Sequence, residues 1–110
     1  MNARRKKRDG DLLLAALSAL ASPHRLRIVA ALHAGGPNYV SQLARELGIG
    51  RPLLHLHLQK LEEAGLVTSR HEVSTDGKAL KYFEVAPFDI PLTPADIAQA
   101  ADSLSHPPEP

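Results

Sequence analysis

The chain has 110 residues, with thirteen Lys and Arg against twelve Asp and Glu and a formal net charge of +1. That length allows one domain with a modest core, which gains stability by pairing with a second copy. With no cysteine in the chain, a disulfide, a thiolate metal site and a cysteine nucleophile are excluded; the lack of a membrane-length apolar run or a signal-peptide pattern predicts a cytoplasmic protein with no membrane partner.

Arg4, Arg5, Lys6, Lys7 and Arg8 hold five of the thirteen basic residues, so the rest of the chain sets eight bases against twelve acids. Between residues 23 and 82 the balance reverses to eight bases against five acids. A basic middle and an acidic C-terminal part suit a nucleic-acid face opposite an acidic one. Residues 1–10 are predicted to form a disordered basic arm, because the run has nothing apolar to bury. It serves either as a solubilising tail or as an arm that reaches a phosphate or minor groove.

Asp11 to Leu20 reads as a helix that is apolar almost all round: Leu12, Leu13, Leu14, Ala15, Ala16, Leu17 and Leu20. Such a helix must be covered on more than one side, and a second copy of the chain is the expected cover. Ser22-Pro23 starts the next helix, with Ser as N-cap and Pro in the first turn. Leu26, Ile28, Val29 and Leu32 are its expected core residues. Arg25 and Arg27 flank them, within reach of phosphate or of the acidic part. Gly35-Gly36-Pro37 breaks the chain, and Asn38 is a candidate cap for a third helix. In that helix Val40, Leu43, Ala44 and Leu47 recur at helical spacing.

Gly48 stops the third helix, where a left-handed residue is cheap. Pro52 opens a fourth. Leu54, Leu58 and Leu61 share one face of it, and Arg51, His55 and Gln59 form a polar stripe opposite. A basic, amide-bearing stripe at the exposed start of such a second helix is the geometry of a recognition helix in a major groove.

Val67 to Val85 changes to an alternating period, and Ser74-Thr75-Asp76-Gly77-Lys78 separates two β-prone runs. Asp-Gly there signals a hairpin, with Arg70, Lys78 and Lys81 in or beside it. Pro87, Pro91 and Pro94 exclude regular structure before a last helix. Thr93 is its expected N-cap, Pro94 its first residue and Asp96 a carboxylate for the first-turn amides. Ile97, Ala101 and Leu104 give it an apolar stripe, a second dimer element. Residues 106–110 are predicted to be a disordered tail, leaving 11–105 as the folded domain. The fold class is mainly α with a β-hairpin wing: a winged helix-turn-helix of four helices, a hairpin and a fifth helix.

With these residues in place, the chain resembles the ArsR/SmtB family of bacterial transcription regulators over about residues 9 to 105. The resemblance is carried by Ser22-Pro23-His24-Arg25-Leu26-Arg27-Ile28-Val29, by Gln42-Leu43-Ala44 with Leu47-Gly48, by Leu54-His55-Leu56-His57-Leu58 with Leu61 and Ala64-Gly65-Leu66-Val67, and by Tyr82-Phe83-Glu84-Val85. It implies a homodimeric, sequence-specific regulator that binds a double-stranded operator, with the first and last helices as the dimer interface. Arg51, His55 and Gln59 would read bases with Pro52 beside them, and Leu56 could meet a thymine methyl. Lys60, Arg70 and Lys78 would contact phosphates. The alternative is a protein-interaction module that kept the fold and lost DNA binding. Gly50, where the family often has Ser, and the apolar Leu56 beside the reading face lean that way.

No catalytic constellation is visible, and the chain is not expected to be an enzyme. Gly48-Ile49-Gly50 lacks the preceding strand and the spacing of a phosphate loop. Many members of the family sense metals. Their thiolate site falls here at Tyr39, Val40 and Ser41, and is absent. A second family site, on the last helix across the dimer, leaves Asp96, Asp102 and His106 as candidate ligands, with fewer histidines than the family pattern. Nitrogen and oxygen donors alone would favour nickel, zinc or cobalt, so no cofactor is required and nickel or zinc is the candidate effector. His55 and His57 point about 200° apart on a helix and cannot share one metal. His24 and His33 read as structural residues of a core helix, and His71 as a wing-strand residue. The short, cysteine-free chain is also similar to nickel-responsive members of the family, which would bring in a separate metal-sensing partner protein.

Overall fold

The computed structural model describes residues 9–105. The basic run Arg4–Arg8 and the tail from His106 onward lie outside the described residues. The elements follow in the order α1 Asp9–Leu20, α2 Pro23–Gly35, β1 Asn38–Tyr39, α3 Val40–Leu47, α4 Arg51–Glu63, β2 Val67–Val73, β3 Ala79–Val85 and α5 Pro94–Ala101. The strands form one antiparallel sheet in the order β1-β3-β2. The expected winged helix-turn-helix is present, with one strand more than the hairpin alone.

The local signals act as their chemistry requires. Ser22 Oγ accepts from the Arg25 N–H at 3.4 Å and caps α2. Gly48, at φ 70°, ends α3 in the left-handed region while its N–H donates to Ala44 O, which satisfies a carbonyl the helix would leave free. Thr93 and Asp96 form a reciprocal capping box at α5. Gly77, at φ 87°, turns the hairpin, and β2 and β3 pair from Val67 opposite Val85 to Val73 opposite Ala79.

Asn38 departs from its expected role. It lies in β1 opposite Phe83, with Tyr39 opposite Tyr82, and Tyr39 holds the N-cap position of α3 without a side-chain bond. The Asn38 amide instead donates to Glu46 Oε1 at 3.3 Å. The strand is made by cross-strand contact, a Tyr39 ring edge-on to Tyr82 at 5.5 Å, and two residues carry no period for a sequence reading to detect.

Ile28, Leu32, Leu43, Leu54, Leu58, Leu61 and Val67 are fully buried, and Phe83, Leu66, Ala16 and Ala19 join them. The core therefore sits where α1 to α4 converge on the root of the wing. Leu26 is not in it: it is 55% exposed, because it lies two residues, about 200°, from Ile28 on the same helix. His33 is likewise exposed.

The first helix begins at Asp9, not Asp11, so Asp9 and Gly10 do not belong to an arm. Gly10 is buried, and its N–H donates to Ser103 Oγ at 2.7 Å. A Cβ at Gly10 would lie 2.1 Å from the Ala100 carbonyl oxygen. The missing side chain is what lets α1 and α5 pack this closely. Ser105 N–H donates to Asp11 Oδ1 at 3.0 Å beside it. On two different sides of α1, Leu12 and Leu14 stay 66% and 52% exposed. Among the described residues, no single helix is long and apolar enough to cross a membrane.

Candidate nucleic-acid interface

The helix-turn-helix is α3, the Gly48 to Gly50 turn and α4. Gly50 caps α4 in an extended conformation without a side chain to accept a bond, and the first turn of α4 carries no acid. Its N-terminal amides therefore have no carboxylate of their own, which suits an anion at this end. Burial of Leu54, Leu58 and Leu61 turns the opposite face outward. Arg51, Pro52, His55, Leu56, Gln59 and Lys60 are all exposed.

The wing completes the site from the other side. Phe83 is buried at the sheet root, so Lys81, two residues earlier, shares its inward face, with its Nζ 5.3 Å from the Phe83 ring centroid. His71 pairs with Lys81 across the hairpin and shares that face. Between the start of α4 and β3 opens a cleft of about 310 Å³, lined in part by Tyr39, Ser41, Arg51, His55 and Lys81 and by no carboxylate among the described residues. Lys81 lines this cleft, although it was not among the residues expected from the sequence to meet phosphate. Counting alternate positions back from Phe83 would have found it.

Two expected contacts, Arg70 and Lys60, fall elsewhere. Arg70 lies on the opposite face of β2, where Nε donates to Glu72 Oε2 at 2.6 Å and a terminal nitrogen donates to Glu84. Hydrogen bonds to Glu72 and Glu84 hold its guanidinium above the ordinary arginine range. Its charge is thus spent within the wing, and it is not a free phosphate contact. Lys60 is about 180° round α4 from Arg51 and lines a groove with Ala15, Ser18 and Ala19 of α1 and Arg25 of α2. The Gln59 amide donates to Glu63 Oε2 at 3.3 Å on the solvent side. Lys78 is exposed at the wing tip, beside Asp76, whose carboxyl is held below the usual range by the Ser74 hydroxyl and the Lys78 backbone N–H.

Arg25 does not face phosphate or the acidic C-terminal part. It turns inward, donating from Nε to His57 Nδ1 at 3.1 Å and from a terminal nitrogen to Ala19 O at 3.4 Å. The His57 ring lies tilted against that of His24, centroids 5.1 Å apart, and belongs to the packing of α4 on α2. Burial, then Arg25 and His24, push its pKa below the ordinary histidine range.

The metal candidates are not brought together. Asp96 Oδ2 accepts from Thr93 N–H at 3.0 Å and from Thr93 Oγ1 at 2.9 Å, as helix capping requires. Asp102 is exposed at the end of α5, about 120° round the helix from Asp96. His106 lies outside the described residues. Among the described residues no group of three His, Asp or Glu side chains is placed to hold a metal ion.

Residues 20–70, from the end of α1 into β2, match the family described as a helix-turn-helix domain. An uncharacterized HTH-type transcriptional regulator of Methanocaldococcus jannaschii is 43% identical over 51 residues, which cover 46% of this chain and 53% of that protein. The match thus spans about half the length of that relative. Among solved structures, the homodimeric winged helix-turn-helix DNA-binding domain of a Mycobacterium bovis protein, a possible ArsR-family transcriptional regulator, is 29% identical; the match covers 81% of this chain and 70% of that one, with a TM-score of 0.61. The transcriptional regulator HlyU of Vibrio vulnificus is 25% identical over 92% of this chain and 93% of its own, with a TM-score of 0.57. The chain therefore carries a helix-turn-helix domain in a winged-helix fold, and these relatives are described as regulators of transcription, not as enzymes.

Proposed function

We propose that this chain is a DNA-binding regulator of transcription of the ArsR type that acts as a homodimer. One observation carries the reading: Arg51 and His55 of α4 and Lys81 of the wing line a single cleft without a carboxylate, inside or beside the stretch that matches the helix-turn-helix family. Arg51, His55 and Gln59 read base edges, with Arg51 suited to a bidentate pair with guanine. Pro52 and Leu56 border that stripe. Lys81 and Lys78 contact phosphates, which position the protein and supply most of the salt-dependent affinity.

The dimer follows from the apolar surface that one chain leaves open. Leu14, Ile97 and Leu104 are exposed together on α1 and the α5 region, and a second copy laid against them would bury them symmetrically. The exposed Leu53 and Leu56 on α4 support the second reading, a protein-interaction module without DNA binding.

The short, cysteine-free chain is also similar to the actinobacterial nickel-responsive regulators of superoxide dismutase genes, and a nickel or zinc response is part of the proposal. Its direct route would need Asp102 and His106 to be joined by a histidine of the second copy, because Asp96 is held in the α5 cap; its indirect route is a separate metal-sensing partner protein. Selection of duplexes from a random pool, with and without nickel and zinc, tests the whole reading. Enrichment of a pseudo-palindrome supports it, and an unenriched pool refutes it. A metal-dependent change in the enriched set that survives Asp102→Ala with His106→Ala assigns the response to other ligands.

A further inference from the structure

One side chain ties the recognition helix to the first helix. Arg25 in the first turn of α2 reaches His57 Nδ1 on α4 and the carbonyl of Ala19 in the last turn of α1. An arginine can only donate, so Nδ1 must keep its lone pair, and the proton of neutral His57 sits on Nε2. His57 Nε2 is buried with no hydrogen-bond partner among the described residues. Leaving a buried donor unpaired costs stability, so the ring is held by what its other nitrogen does.

We infer that Arg25 and His57 are positioning residues for DNA binding: the Arg25 link sets the angle of α4 against α1, and it holds only while His57 is neutral. A protonated His57 would turn an Nδ1–H towards the Nε–H of Arg25, donor against donor and cation against cation. The titratable and charged groups around the link are His24 and Arg25 from α2 and, along the same groove, Lys60 and Glu63 of α4. The flanking α1 residues there, Ala15, Ser18 and Ala19, carry no charge.

The direction follows from His57 lying below the ordinary histidine range in the fold. The unfolded chain takes up the proton more readily, so the folded state is favoured fully above about pH 6.5 and progressively less as pH falls below it. Since α1 lies on the proposed dimer face, a loosened α4 would change the spacing of two reading heads that must match half-sites one helical turn apart. The functional half of the inference rests on the DNA-binding reading; the titrating link itself does not.

The test uses the full chain as wild type, His57→Asn and His57→Gln, since an amide oxygen can accept from Arg25 and does not titrate. Affinity for a selected duplex and for random DNA is measured from pH 7.5 to pH 5, with urea unfolding in parallel. The ratio of wild-type to variant affinity at pH 7.5 is the reference. Towards pH 5 the ratio of wild-type to variant affinity should fall, as the competent fraction shrinks. A ratio that stays constant overturns the inference. If no form prefers the selected duplex, the DNA-binding reading is what fails. Urea midpoints then decide the link alone: wild type falling below the variant at low pH supports it, and parallel midpoints overturn it.

Discussion

Ser69 Oγ donates to Glu62 Oε2 at 2.6 Å, which joins the root of the wing to the last turn of α4. Both residues are half-buried, and the bond turns the Glu62 carboxylate towards the wing and away from incoming phosphates. Ser69→Ala should cost about 1 kcal/mol of stability and weaken DNA binding, because it frees a negative charge near the reading stripe. Ser69→Thr, which keeps the hydroxyl, should restore both. Urea unfolding and DNA titration of the two variants check this.

Arg70 and Lys81 sit on opposite faces of the wing, and their variants should separate. Lys81→Ala should flatten the salt dependence of DNA affinity by about one unit of slope. Arg70→Ala should change that slope far less, because Glu72 and Glu84 already engage the guanidinium. Equal slopes for the two variants would show that the Arg70 cluster opens on DNA.

Gly10 packs directly on α5, and an added Cβ has no room beside the Ala100 carbonyl. Gly10→Ala should therefore destabilise the domain by about 1–3 kcal/mol, the usual cost of overpacking. Thermal unfolding measures it. A variant as stable as wild type would mean that the helix start can shift at no cost.

Leu14 is half-exposed on one chain, so a charge there should trouble the isolated fold little. In a seam between two copies the same charge would be buried without a partner, which is expensive. Leu14→Glu should sediment as a folded monomer and lose most of its affinity for a two-half-site duplex. A dimer that still binds would move the seam away from this face.

The winged-helix order, the buried Leu54, Leu58 and Leu61, the Gly48 stop and the Thr93–Asp96 cap were legible in the sequence, because period and capping chemistry act over a few residues. The site was only partly legible. Arg51 and His55 follow from one helix face, but the loss of Arg70 to Glu84 depends on a contact fourteen residues away. Arg25 is similar: its position beside the core helix suggests solvent or phosphate, while its partner His57 is thirty-two residues on. Gly10 could not be read from a charged, apolar-poor start, since its role is set by Ala100 and Ser103 at the far end of the chain.

The most direct test of the central claim is the slope of log affinity against log salt for the wild-type chain on a selected duplex. DNA binding through Arg51, Lys78 and Lys81 predicts a steep negative slope, about −0.9 for each phosphate neutralised, and tighter binding than on random DNA. It also predicts that Arg51→Ala costs about 1–3 kcal/mol on the selected duplex while relaxing preference at one base pair. A flat slope, or the same weak affinity for every duplex, would contradict the claim and leave the protein-interaction module in its place.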